Sequence, residues 1–234
     1  MPAPDDGDPF APVADPRPAD GPWPAMAWPV PAGTVLEGPV VRLAPLDPDG
    51  EVAALFAALD HPSVWAHIPN PRPPDAAAHR AVLAALVTEP AWQPWLVTAV
   101  RPVAGLDAGA VLGTTSYLDV SAHDARLEIG ATMYTPAAWG TAVNPAAKLL
   151  LLRYAFEGLG AGRVQLKTDV RNTRSQQAIA RLGARYEGTL RRYQRRADAS
   201  VRDSVLFSIT AEDWPVVRDR LTTRLAGAAP TAAP

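Results

Sequence analysis

The chain has 234 residues, 48% hydrophobic and 20% charged, with a formal net charge of −2 and no cysteine. That length suits one domain with a tail, and the missing thiols exclude disulfides, thiolate catalysis and cysteine metal sites. No stretch approaches the roughly 20 consecutive apolar residues of a membrane span, and the first 20 residues lack a signal pattern, so we expect a soluble, cytoplasmic protein with no membrane partner.

Ten of the 26 prolines fall within residues 1–31, and such a segment sustains neither helix nor ladder. Residues 1–33 therefore read as an extended or disordered arm. It carries five aspartates against Arg17, a net −4, which leaves +2 for the rest; a nucleic-acid partner is not indicated. Trp23, Met26 and Trp28 leave two readings of the arm's end, a free tail or one docked on the domain or on a second subunit. The folded part, residues 34–226, opens with a strand, Val40 to Leu46, followed by helices from Asp49 to Leu59 and from Pro74 to Thr88. Strands follow at Trp95 to Val100, Ala110 to Val120 and Ala125 to Tyr134, the last alternating Leu127, Ile129, Ala131 and Met133 against Arg126, Glu128, Gly130 and Thr132. A helix from Asn144 to Gly158, a strand from Arg163 to Asp169 and a helix from Asn172 to Leu182 come next. The strand–helix–strand order predicts a right-handed crossover with parallel strands. A hairpin, Ala184 to Arg196 with Val201 to Ile209, and a helix from Glu212 to Leu225 complete the domain, and residues 227–234 form a tail.

Between the strand ending at Tyr134 and the following helix lies Thr135-Pro-Ala-Ala-Trp-Gly-Thr-Ala-Val-Asn-Pro-Ala-Ala-Lys148. A loop of small residues that delivers a helix N-terminus presents free backbone N–H groups, which is an anion site. The plainer alternative is an ordinary helix start with Asn144 as N-cap and Pro145 at N1.

The loop, Glu128-Ile-Gly130, Lys167-Thr-Asp-Val-Arg-Asn-Thr-Arg-Ser175 and Ala178-Ile-Ala-Arg-Leu-Gly-Ala184, taken in that order over roughly residues 35 to 224, resemble the GNAT superfamily of acyl-CoA-dependent N-acetyltransferases, in its RimJ/RimL-like branch. The resemblance implies an α/β fold: a mixed, mostly antiparallel twisted sheet, with a central parallel strand pair splayed at the acyl-CoA site and helices on both faces. It implies acetyl-CoA as acyl donor, no metal, direct transfer to a primary amine on a protein N-terminus or a small molecule, and a possible homodimer. Ala137, Gly140 and Ala142 occupy the family's phosphate-loop positions, so Trp139, Gly140, Thr141, Ala142, Val143 and Asn144 are the expected pyrophosphate contacts.

Acetyl transfer to an amine requires removal of a proton, a held oxyanion and help for the departing thiolate. Glu128, mid-strand in a sheet covered on both faces, is the candidate base, because desolvation raises a carboxyl's pKa; the alternative is a structural ion pair with an arginine. Ser175, in register with Ile179 and Leu182 on the inner helix face, is the candidate to assist the leaving sulfur. With Asn172 it matches the family's contact to the pantetheine arm. Both also fit a plain capping role, Asn172 as N-cap and Ser175 at N3. Backbone N–H groups between Ala131 and Tyr134, Met133 included, are the expected oxyanion donors. Trp65 and His67 lie where this branch builds its acceptor wall, with ordinary packing as the alternative. The four histidines lack metal-ligand spacing. A non-catalytic acyl-CoA-binding module is the second functional reading. A nucleotide-binding loop is disfavoured by the absence of Gly-x-x-x-x-Gly-Lys-Ser/Thr.

Overall fold

The computed structural model describes residues 12–15 and 26–227. The rest of the arm, Trp23 with it, and the tail from 228 onward lie outside the described residues. Eight strands build one sheet: β1 Leu36–Glu37, β2 Val41–Pro45, β3 Gln93–Ala99, β4 Val111–Ser121, β5 Arg126–Tyr134, β6 Arg163–Asp169, β7 Arg185–Arg195 and β8 Val201–Thr210. Their order is β1-β2-β3-β4-β5-β6-β8-β7. Every pairing is antiparallel except β5 with β6. The helices are α1 Val52–Leu59, α2 Pro62–Trp65, α3 Ala76–Leu86, α4 Val143–Arg153, α5 Thr173–Leu182 and α6 Trp214–Gly227. This is the expected α/β architecture, with the crossover through α4 joining the one parallel pair.

The period of two along each strand sorts the core onto two faces. Trp95 and Val97 of β3, with Tyr117, Leu127, Ile129 and Val164, point to the face covered by α4 and α6, where Val143, Ala147, Leu151, Leu152, Val217 and Leu221 close the main cluster. Leu96, one residue out of phase, points to the other face and packs with Leu55, Leu59, Val64 and Leu83 from α1 to α3. Trp95 and Tyr117 meet edge to face with centroids 6.1 Å apart. The Tyr117 hydroxyl donates to the Leu151 carbonyl at 2.6 Å, at the turn where α4 widens into a π-helical segment, Tyr154–Gly158.

Of the two readings of the arm's end, residues 26–30 follow docking on the chain's own domain. Met26 and Val30 are buried in the main cluster. The Ala27 N–H donates to Leu159 O at 2.7 Å and Trp28 Nε1 to Pro90 O at 2.8 Å. Two elements escape the sequence patterns, β1 and α2, which are too short to show a period. Asp75, expected in the first turn of its helix, is instead the N-cap of α3 and accepts from Ala78 N at 2.7 Å. Among the described residues no helix is long and apolar enough to cross a membrane.

Candidate functional site

Strands β5 and β6 pair only from Arg126–Arg163 to Glu128–Gln165. Beyond Glu128 they diverge, and the edge of β5 from Ile129 to Tyr134 faces a cavity of about 690 Å³. Ala131 turns the strand there with φ +47°, a left-handed conformation costly for alanine, at a register shift in the β4–β5 ladder. The cavity is the meeting place of Glu128, Met133, Tyr134, Trp139, Gly140, Asn144, Asn172, Ser175, Trp65 and His67. Thr141 and Ala142 line an adjoining hollow of about 710 Å³ that shares Gly140, and Val143 is buried in the core.

The loop between β5 and α4 is fixed by its own hydrogen bonds. Pro136–Ala138 form a 3-10 turn, Trp139 Nε1 donates to Tyr134 O at 3.0 Å, and the Thr141 hydroxyl donates to Ala138 O at 2.7 Å while accepting from Val143 N at 3.2 Å. Gly140 sits at φ +76° with open space where a Cβ would stand, which only glycine adopts without strain. Helix α4 starts one residue before the expected N-cap: Ala142 caps it without a side-chain bond, and Asn144 lies inside the first turn. The backbone N–H groups of Gly140, Thr141, Ala142 and Asn144 have no acceptor among the described residues, so four donors converge at the positive end of a helix dipole. Ala142 has φ −69°, in the helical region, and packs on the main core; no glycine is needed there.

Glu128 is 4% exposed. Its Oε2 accepts from Lys167 Nζ at 2.8 Å and Gln165 Nε2 at 3.0 Å, so the ion-pair alternative is realised with a lysine, not an arginine. Oε1 has no partner among the described residues. Gly130 leaves room for it, since a Cβ there would lie 2.8 Å from Oε1. Burial raises the affinity of Glu128 for a proton, and the Lys167 charge and the Gln165 amide only partly oppose it. For Lys167, burial works against the charged form, but the Glu128 carboxylate outweighs it and the ammonium is held above its ordinary range.

Asn172 is the N-cap of α5, its Oδ1 accepting from Ser175 N at 3.0 Å. The capping geometry and a place on the cavity wall therefore coexist. Ser175 is half-buried and its hydroxyl has no partner among the described residues. Trp65 is held by Nε1 donating to Leu59 O at 2.9 Å. His67 is half-buried; burial lowers its pKa, with Asp169 opposing and Arg174, Arg196 and Arg202 adding to the depression.

Three residues on the wall, and the hydroxyl of the already expected Tyr134, go beyond the sequence-based site. Lys148 on α4 is 4% exposed, with Nζ 2.7 Å from Thr132 Oγ1 and 3.3 Å from Thr115 Oγ1. Burial pushes its pKa down to about 7, partly opposed by Glu128. The signal was a lone lysine within the apolar run Pro145 to Leu152. The Tyr134 hydroxyl is buried without a partner among the described residues, and burial pushes its pKa up. Arg174 lies 3.5 Å over the Trp139 ring. Arg202 is 8% exposed, and among the described residues its side chain bonds only the Ser204 hydroxyl, at 3.1 Å. Among the described residues no three His, Asp or Glu side chains are grouped to hold a metal.

Chemically, the arrangement offers backbone donors for a pyrophosphate at one end and a proton-hungry carboxylate at the other, joined by an open strand edge. Comparison with known proteins gives the family. The acetyltransferase (GNAT) domain family matches residues 41–185. Among solved structures, a protein of T. thermophilus described as an acetyltransferase is 39% identical, aligning 85% of this chain with 100% of that one at a TM-score of 0.75. A GNAT-family protein of Chromobacterium violaceum ATCC 12472 is 30% identical over 88% of this chain and 100% of its own, at 0.78. The Mycobacterium smegmatis RimJ in complex with CoA-disulfide, 22% identical over 84% of this chain and 94% of that one, shares the fold at 0.68. Among curated proteins, none matches the sequence.

Proposed function

The chain belongs to the GNAT acetyltransferase family, and we propose that it is an N-acetyltransferase of the RimJ/RimL-like branch, moving the acetyl group of acetyl-CoA directly to a primary amine. The observation that carries this reading is the buried carboxylate of Glu128 on the wall of the cavity where β5 and β6 part, with Oε1 unpaired among the described residues. The free N–H groups of Gly140, Thr141, Ala142 and Asn144 fit a pyrophosphate, with Asn172 and Ser175 flanking the path to the strand edge. Acetyl-CoA supplies an activated acyl group on sulfur; the amine nitrogen gains it, loses a proton, and free thiol is released.

Glu128 takes that proton. Its Oε2 is anchored by Lys167 and Gln165, so Oε1 points at one place, and the raised proton affinity suits a base working near neutral pH. Backbone N–H groups between Ala131 and Tyr134, on the unpaired edge at Met133, hold the developing oxyanion. The Ser175 hydroxyl and the Lys148 ammonium lie on the walls from which a proton can reach the departing sulfur. Trp65 and His67 wall the acceptor side.

The test is acetyl-CoA titration beside thiol release over a panel of amines, for the parent and Glu128→Gln. The absence of cysteine leaves released coenzyme A as the only thiol. Turnover that falls about 100-fold or more with donor binding kept supports the base assignment; equal loss of both refutes it. Donor binding with no thiol released by any amine would favour the non-catalytic acyl-CoA-binding module.

A further inference from the structure

The acceptor end of the cavity holds a buried arginine, Arg202, that is in ion-pair contact with no carboxylate among the described residues. The sheet register defines that end. Glu128 pairs with Gln165, Lys167 with Leu206 and Asp169 with Ser204, so the alternation puts Glu128, Lys167, Asp169, Ser204 and Arg202 on one face. Tyr117 and Ile129 point to the opposite face, where Tyr117 meets α4. Arg202 thus stands on the sheet face that carries Glu128, in the same cavity as Gly140 and Asn144 at the start of α4.

On that side the pairing can be followed group by group. Glu128 is taken by Lys167 at 2.8 Å. Asp169 is taken by Arg196 through two bonds, at 2.6 and 2.9 Å; burial works to raise its pKa, but Arg196, the Arg171 N–H and, at longer range, Arg202 outweigh it and hold the carboxyl below its usual range. Arg202, 8% exposed and on the cavity wall, has no ion-pair contact among the described residues and only one hydrogen bond, from Nε to Ser204. His67 adds no negative charge. A guanidinium has five donors, and the Nη groups of Arg202, not sealed in the core, are open to an anion that enters the cavity. Arg202 and Glu128 line one cavity and lie within electrostatic reach of each other, so an anion held by Arg202 would sit near the amine site.

We propose that the acceptor of this acetyltransferase is an amine that also carries a carboxylate, which Arg202 binds while the amine faces Glu128. The proposal rests on the acetyl-transfer reading and adds to it the class of substrate. A planar guanidinium–carboxylate pair in an enclosed site is a strong, oriented contact, so it both selects the acceptor and points its amine. The same chemistry comes from two sources, a free amino acid through its own carboxylate, or a peptide N-terminus whose second residue is acidic.

Product binding tests this without turnover and without differences in amine basicity. N-acetyl-L-alanine and N-acetyl-L-alaninamide form one matched pair; N-acetyl-Ala-Glu-amide and N-acetyl-Ala-Gln-amide form the other. Each is titrated calorimetrically into the full chain, with and without saturating coenzyme A, for the parent, Arg202→Gln and Arg202→Lys. We expect one carboxylate compound to bind the parent about 10-fold or more tighter than its amide. That preference disappears in Arg202→Gln and partly survives in Arg202→Lys. The pair that shows it names the source. Equal binding of carboxylate and amide in the parent overturns the proposal, as does a preference that persists in Arg202→Gln. If the glutamine variant fails to fold, the parent's matched pairs and the lysine variant still decide. Coenzyme A failing to bind would count against acetyl transfer, and the titrations without coenzyme A judge Arg202 separately.

Discussion

Replacing Lys148 with methionine should make the protein more stable, and by an amount that depends on pH. The ammonium is 4% exposed, and its pKa falls from an ordinary 10.5 to about 7. A depression of about 3.5 units, at about 1.4 kcal/mol each, corresponds to roughly 5 kcal/mol for carrying the charge in the folded state. The sign follows from proton counts. Between pH 7 and 10.5 the unfolded chain binds a proton at this residue that the folded chain does not, so parent stability rises with pH by up to about 1.4 kcal/mol per unit; below pH 7 the full cost remains. Lys148→Met keeps the stem and removes the ionisable head. Thr115 and Thr132 stay bonded to each other at 2.8 Å, so little is left unsatisfied. The variant should exceed the parent by several kcal/mol at pH 7, and this margin should shrink by about 2 kcal/mol at pH 9. Urea unfolding of both proteins without acetyl-CoA at pH 7, 8 and 9 measures this, and taking differences cancels every other titrating group. A margin that does not change with pH, or a variant less stable throughout, would refute the account of Lys148 as a desolvated ion.

Three further outcomes follow from the site. The acidic limb of kcat/KM should lie above the ordinary carboxylate range, because Glu128 is inactive as a base once protonated and burial raises its pKa; Glu128→Gln should abolish that limb. Gly130→Ala brings a Cβ to 2.8 Å from both Glu128 Oε1 and Leu118 Cδ2. Turnover should drop about 10-fold or more, with acetyl-CoA affinity kept and stability lowered by about 1–3 kcal/mol; unchanged turnover would mean that Oε1 is not the working oxygen. Gly140→Glu should eliminate acetyl-CoA binding in calorimetry by placing an anion among the four free N–H groups. Gly140→Asn, which tolerates φ +76°, should retain it, and loss in both would assign the effect to backbone strain.

Most strands and helices were legible because each carries enough residues to show its period. Strand β6, Arg163–Asp169, has the bounds that alternation assigns, and the amphipathic α5 ends one residue before Gly183 in the left-handed region. The strand–helix–strand order around α4 gave the parallel pair, because chain direction and crossover handedness leave little choice. Lys148 and Arg202 were harder. Each is a common residue type, and its standing depends on which neighbours end up within a few ångströms.

The sequence alone thus determined the order of the longer elements, the parallel crossover, the glycine loop and the presence of Glu128 mid-strand, since these rest on local periodicity and backbone preferences. Only the tertiary structure decided where β5 and β6 part, that Lys167 rather than an arginine holds Glu128, and that Arg202 is buried with no carboxylate in contact among the described residues. Ion pairing and desolvation depend on distances between segments far apart in the chain, and these are set by how the sheet registers and the helices pack.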